Sequence, residues 1–183
     1  MLTFSEVNVH YKNGDSFFGI LLNGQKTNGK YIYANKRIYE GPFKNDKKCG
    51  LGRLSYNKKS FYYGMFENGA KKGMGFQKYE NGDFYYGEWK HNKKNGNGIY
   101  YFFATKEYYY GDWDKGYFTS GVWLLSDELK YVGMFFRNKP KNNGHFVFLD
   151  ETKINAFYKQ LFTISDMDLE GKKKVIKLFW KNI

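Results

Sequence analysis

The side chains able to do chemistry are few and scattered. Three histidines, His10, His91 and His145, fall in different parts of the chain, without the spacing of a metal site or a nucleophile–base–acid triad. The lone cysteine, Cys49, follows Lys47 and Lys48, and no histidine or acid is placed to use it as a nucleophile. The glycine pairs Gly50/Gly52, Gly73/Gly75 and Gly96/Gly98 suggest a phosphate cradle. No helix follows any of them, and anion capture on backbone N–H groups needs one. These residues predict a chain that is not an enzyme and takes neither metal nor cofactor.

What remains is aromatic and basic. Tyr, Phe and Trp make up 22% of the chain, too much for a disordered one, and 183 residues suffice for one domain with a real core. No apolar run approaches the ~20 residues that span a bilayer. The start, MLTFSEVNVHYKNG, lacks the basic leader and apolar stretch of a secretory signal, and a single cysteine fits a reducing compartment, so a cytoplasmic location is expected. A net charge of +12 invites nucleic acid or anionic lipid as a partner. Only Arg37, Arg53 and Arg137 are arginines, the usual bidentate readers of phosphate and base edges, whereas lysines also serve to keep a sticky sheet soluble. Nucleic acid is not expected.

The elements that must position these side chains come from a repeat. The stretches FFGILLNGQKTNGKYIY, YEGPFKNDKKCGLGRLSY, YYGMFENGAKKGMGFQKY, YYGEWKHNKKNGNGIYYF, YYGDWDKGYFTSGVWLL and YVGMFFRNKPKNNGHFVF share one layout. Their leading glycines, Gly19, Gly41, Gly64, Gly87, Gly111 and Gly133, recur every ~23 residues, too short for a pair of helices. Alternation places Tyr85, Gly87 and Trp89 on one sheet face, and Gly96, Gly98, Tyr100 and Phe102 on one face of the strand that follows, so each unit reads as a β-hairpin. Asn13-Gly14-Asp15, Asn57-Lys58, Asn81-Gly82-Asp83 and Asp127 mark turns between units. A strand glycine leaves a gap into which a ring from the adjacent strand can lie flat. The expected fold is all-β: an elongated single-layer antiparallel sheet of about six tandem hairpins plus flanking half-repeats over residues 1–160.

Residues 161–183 change character. SDMDLEGKKKVIKLFWKNI has helical spacing, with Ser165 and Asp168 as a capping arrangement and Leu169, Ile176, Phe179, Trp180 and Ile183 on one face. This predicts a short C-terminal amphipathic helix. It either covers the last sheet edge, docks into a partner through Ile176, Phe179 and Trp180, or lies on a membrane surface.

The pattern Tyr-x-Gly-x-Trp/Phe followed by Gly-x-Gly resembles the MORN repeat. It is carried by Tyr39-x-Gly41-x-Phe43 with Gly50 and Gly52, by Tyr62-x-Gly64-x-Phe66 with Gly73 and Gly75, and by Tyr85-x-Gly87-x-Trp89 with Gly96 and Gly98. The copies from Tyr109 and Tyr131 keep only Gly121 and Gly144, and the copy from Phe17 keeps only Gly29. The closing stretch, with Phe136, Asn138, Lys139, Pro140 and Phe146-Val147-Phe148, is similar to the last repeats of MORN proteins from the head of axonemal radial spokes. The resemblance implies a non-enzymatic scaffold in a cilium or flagellum, docked to other spoke-head proteins. The alternative it leaves open is a membrane-associated adaptor that binds acidic phospholipid and a protein partner. Pairing of the array with a second copy, as a homodimer, stays open too.

Two surfaces are candidates for binding. The residue before each leading glycine faces away from the ring side, and at that slot stand Tyr63, Tyr86 and Tyr110 in consecutive copies, with Tyr101 and Phe103 pointing the same way. A one-layer sheet cannot bury both faces by itself, so these rings are expected in a protein interface or under a covering segment. On the ring side Phe66, Trp89, Trp113 and Phe135 either stack repeat on repeat or form an aromatic groove for a neighbouring subunit.

Overall fold

A computed structural model describes the backbone of residues 2–164 and 174–182, and side chains as far as residue 159. Alternating apolar and polar residues broken by Asn, Asp and Gly give strands and little else. The first are β1 (Phe4–His10), β2 (Ser16–Leu22), β3 (Gln25–Ile32), β4 (Ile38–Lys44), the short β5 (Lys47–Lys48) and β6 (Gly50–Ser55). Then follow β7 (Phe61–Glu67), β8 (Ala70–Lys78), β9 (Phe84–Lys90), β10 (Lys93–Tyr101), β11 (Tyr108–Asp114) and β12 (Tyr117–Ser126). The last are β13 (Leu129–Phe136), β14 (Lys139–Phe148), β15 (Lys153–Ile164) and β16 (Lys174–Asn182). They form one open antiparallel sheet in chain order, with β5 paired to β4 beside the main path.

Each unit closes with the same turn. Asn23-Gly24, Asn45-Asp46, Asn68-Gly69, His91-Asn92, Lys115-Gly116 and Arg137-Asn138 all have positive φ at both residues, the two-residue hairpin turn whose twist matches that of its strands. Between units the loops are tied by Asn and Asp side chains. Asn13 and Asn81 Oδ1 each accept the N–H two residues on, at 3.1 Å. Asp15 and Asp83 accept the hydroxyls of Tyr31 and Tyr100, both at 2.7 Å.

Across the strands runs a continuous glycine row: Gly19↔Gly29↔Gly41, then Gly52↔Gly64↔Gly75↔Gly87↔Gly98↔Gly111↔Gly121↔Gly133↔Gly144, ending on the buried Ala156. The leading rings lie on this row. A Cβ on Gly75 would stand 2.2 Å from the Tyr62 hydroxyl, one on Gly98 2.3 Å from that of Tyr85, and one on Gly144 2.1 Å from that of Tyr131. Phe17, Tyr39, Tyr62, Tyr85 and Tyr131 each cover the glycine of their own strand as well as the one across from it: Tyr62 meets Gly64 and Gly75, and Tyr85 meets Gly87 and Gly98. The gap is therefore shared between strands rather than filled only from the neighbour.

Two expectations are corrected. Gly96 does not share the ring face with Gly98. A β-bulge between Lys94 and Gly98 puts Gly96 in the left-handed region (φ 61°), and a Cβ there would meet the Glu88 carboxylate on the other face. Gly50 and Gly73 are left-handed in the same place. The second correction is at the C-terminus, where Lys174–Asn182 is a strand paired along β15 rather than a helix. Val175, Ile176, Phe179 and Trp180 are residue types that favour strands, and the edge of β15 offers a row of N–H and C=O groups that a helix would leave unpaired. The capping pair Ser165 and Asp168, and the side chains of Ile176, Phe179 and Trp180, lie outside the described residues.

Candidate functional site

The ring face is a closed zipper. Tyr39, Tyr62 and Tyr85 are fully buried, and each is gripped edge-on by the third-position ring of its own unit and of the next. Tyr62 meets Phe66 at 5.1 Å and Trp89 at 5.3 Å, and Tyr85 meets Trp89 at 5.3 Å and Trp113 at 5.2 Å. Trp89 and Trp113 Nε1 reach back to donate to the carbonyls of Gly75 and Gly98, both at 3.2 Å. Phe66, Trp89, Trp113 and Phe135 are each 5% exposed or less and stack repeat on repeat, and Trp113 also lines a small cleft of about 230 Å³ with Lys94, Tyr100, Phe102, Tyr109 and Asn138.

One set of residues on this face is absent from the expectations above. Opposite the third-position residue of successive units stand Lys26, Lys48, Lys71 and Lys94, paired with Leu21, Phe43, Phe66 and Trp89. Their ammonium groups lie among rings. Lys71 Nζ is 4.6 Å from the Tyr62 centroid and 4.3 Å from that of Trp89, and Lys94 Nζ is 4.3 Å from Tyr100 and 4.1 Å from Trp113. The backbone at these lysines binds the next unit: the N–H groups of Gly69, Asn92 and Gly116, in successive hairpin turns, donate to the carbonyls of Lys48, Lys71 and Lys94. The signal was present in the sequence, since every such lysine follows its third-position residue by five places.

Charge on this ladder is tuned by burial. Removal from water pushes Lys71 down to about 7, helped by the charge of Lys48, and its Nζ donates to Gln77 Oε1 at 2.6 Å. Burial likewise pulls Lys94 down to about 8 against the opposing charge of Asp83. Burial would also lower Lys26, but its 2.6 Å ion pair with Asp46 and the nearby Tyr11 leave it raised. The covered tyrosine hydroxyls go up, mainly through desolvation: Tyr109 and Tyr131 reach about 12, and Tyr39, Tyr62 and Tyr85 rise further. Rings and an amide thus hold these amines within the packing of the ring face. Among the described residues no group of three His, Cys, Asp or Glu could hold a metal.

The second face is open. Tyr63, Tyr86 and Tyr110 are 47%, 50% and 53% exposed, and Phe103 is exposed beyond the end of β10. Beneath them a ring ladder crosses β7 to β11: Phe61–Phe76 at 5.8 Å, Phe76–Phe84 at 5.5 Å, Phe84–Tyr101 at 5.1 Å and Tyr101–Tyr108 at 4.7 Å. The alternation argument thus brings Tyr63, Tyr86, Tyr110 and Tyr101 to one face, while the ladder itself is an addition. The histidines are far apart in role: His91 sits in a hairpin turn, and His10 Nδ1 is 2.8 Å from Ser16 Oγ.

Comparison with known proteins bears on the hairpins directly. The family model for the MORN repeat matches residues 39–61, 62–84 and 85–103, which are the three units with caged lysines and complete Gly-x-Gly pairs. No curated protein matches the chain at a significant level. With three tandem matches in register with the hairpins, residues 39–103 of this chain are MORN repeats, and hairpins of the same build stand before and after them in one sheet.

Proposed function

We propose that the chain is a non-enzymatic scaffold of a cytoskeletal assembly, a component of the radial spoke head in the axoneme of a cilium or flagellum, docked to other spoke-head proteins. The observation that carries the scaffold reading is the row of half-exposed Tyr63, Tyr86 and Tyr110 on a sheet whose other face is sealed by its own rings. Exposed rings held rigidly on strands bind at low entropic cost, and a one-layer sheet presents them along its length. The axonemal assignment rests on the similarity of the closing stretch YVGMFFRNKPKNNGHFVF to spoke-head repeats.

Proximity labelling of the tagged protein in its native cell tests the assignment. Recovery of spoke-head subunits, with co-fractionation on axonemes that survives salt, is the expected result, because a large aromatic interface is little screened. Recovery of plasma-membrane proteins, with liposome binding that falls steeply as salt is added, would replace it with the phospholipid adaptor. Changing Tyr63, Tyr86 and Tyr110 together to Ser should leave the sheet folded and abolish partner recovery.

A further inference from the structure

The ladder on the second face ends in a cleft of about 550 Å³ at the loops after β6 and β8. Its wall is apolar: Phe61, Phe76 and Phe84, all half-buried, with the exposed Phe103 at one end. Its rim is cationic. Arg53, Lys58, Lys59 and Lys78 line it and are exposed, against a single carboxylate, Glu80. The Arg53 guanidinium stacks 3.8 Å from the Phe61 centroid, and Lys106 Nζ stands 3.9 Å over Phe103. The ion pairs among the described residues are Lys26–Asp46, Lys30–Glu40 and Lys72–Glu67, so the rim cations take part in none.

We infer that this cleft takes an acidic peptide segment with one apolar anchor: carboxylates on the rim cations and a Phe- or Leu-type side chain against the Phe61–Phe76–Phe84 wall. The inference rests on the reading of this face as an interaction face and names the chemistry of what it holds. Four cations against one acid make the charge complement an anion, and a fully apolar wall requires more than charge. Single-stranded nucleic acid fits less well. The rings lean on one another at 32° to 44°, which occupies the faces a base would stack on, and the one arginine is spent on Phe61. A bilayer fits less well too, because Phe61, Phe76 and Phe84 are half-buried and offer lipid little apolar area to cover.

The test is fluorescence anisotropy on the full chain, with a labelled peptide of alternating Glu and Ser around one central Phe. Phosphatidylserine vesicles and poly(U) serve as competing probes. Lys58→Glu/Lys59→Glu/Lys78→Glu should weaken peptide binding about tenfold or more, since it turns three attractions to the peptide's carboxylates into repulsions. The charge-matched Lys12→Glu/Lys90→Glu/Lys115→Glu should change it by less than about twofold, and replacing the central Phe by Ser should weaken it about fivefold. Equal losses in both triple variants, indifference to the Phe, or binding of vesicles or poly(U) in place of the peptide overturns the inference. If partner recovery in cells still depends on Tyr63, Tyr86 and Tyr110 while the cleft variant binds peptide normally, this inference alone fails and the face keeps its role.

Discussion

The unit from Tyr85 and the unit from Tyr109 lie side by side in the same sheet and solve the same packing problem differently. In the first, Tyr85 lies flat over Gly87 and Gly98 and donates its hydroxyl to the carbonyl three residues on, Glu88 O, at 3.1 Å. Tyr39 and Tyr62 do likewise, to Pro42 O and Met65 O. In the second, the slot of the caged lysine holds Phe118, fully buried and paired across from Trp113. Phe118 stacks on Tyr109 at 4.7 Å and 10°, and supplies the ring that Gly121 meets. The Tyr109 hydroxyl, displaced from its own strand, donates instead to Asn138 O in the next hairpin turn at 3.0 Å. One space is filled by a cation in a cage or by one more ring, and the tyrosine moves to suit. The family match ends at residue 103, where the second solution begins.

The largest expected effect tests the flat tyrosine. Gly98→Ala forces a methyl to within 2.3 Å of the Tyr85 hydroxyl and should cost roughly 3 kcal/mol or more in urea unfolding, as overpacking of a full core does. Tyr85→Phe in the same chain should recover part of that loss, because the closest atom is gone. Gly121→Ala should also be costly, through its left-handed φ of 136° and the Tyr110 carbonyl 2.2 Å away, but Tyr109→Phe should recover none of it. Equal rescue in both units would mean that the two tyrosines sit alike, and the contrast would be lost.

Exchanging the slot occupants comes next. Phe118→Lys removes stacking with Tyr109, Trp113 and Phe135 from a site with no water access and should cost about 2–4 kcal/mol. Lys94→Met keeps the volume, drops a partly desolvated amine and should shift stability by less than about 1 kcal/mol. Comparable losses from the two would show that ring and lysine are interchangeable there.

The caged lysines also tilt the pH profile. In the unfolded chain Lys71 holds its proton up to its ordinary 10.5, but in the folded chain only to about 7, so between those values the unfolded state binds more protons and stability rises with pH. Lys94 adds to the rise above about 8. The covered tyrosines work in reverse: folded Tyr109 and Tyr131 keep their protons to about 12 against an ordinary 10, so stability falls once pH passes 10. Urea midpoints should therefore peak on the alkaline side, near pH 9–10 by this linkage, and Lys71→Met should flatten the rise by on the order of 1 kcal/mol. A midpoint that drops steadily from pH 7 upward would place charged, unstrained lysines in the cages.

How much of this could be read in advance depended on what counting by twos can see. The leading glycines and rings stand in register on one face because nothing interrupts β2, β4, β7, β9, β11 and β13 before the turn, so alternation placed Tyr63, Tyr86 and Tyr110 on the open face. On the return strands of the units from Tyr62 and Tyr85 a bulge adds two residues, so Gly96, inside it, leaves the face that alternation gives it, while Lys71 and Lys94, beyond it, come back to the ring face opposite Phe66 and Trp89. Lysine type argues for water, and only the cage geometry argues otherwise. At the C-terminus the same letters fit a helix by period and a strand by residue type. The unpaired edge of β15, invisible in the sequence, favours the strand.

The smallest effect separates the units by the sign of a change at one slot. The first glycine of each Gly-x-Gly pair is left-handed, and in the unit from Tyr131 that slot is held by Asn142 at φ 62°. Asparagine tolerates this region better than other side chains but still bears strain, so Asn142→Gly should stabilise by a few tenths of a kcal/mol, offset in part by a freer unfolded chain. In the unit from Tyr109 the slot is Thr119, which keeps a negative φ, and its hydroxyl donates to Asp112 O at 3.0 Å. Thr119→Gly relieves nothing, loses that bond and should destabilise by about 0.5–1 kcal/mol. Opposite signs in thermal melts would mean that the two bulges differ in backbone conformation, with Phe118 the partner of the one that needs no glycine. A gain at both would mean that residue 119 also prefers the left-handed bulge, so that the ring in the lysine slot changes side-chain packing alone.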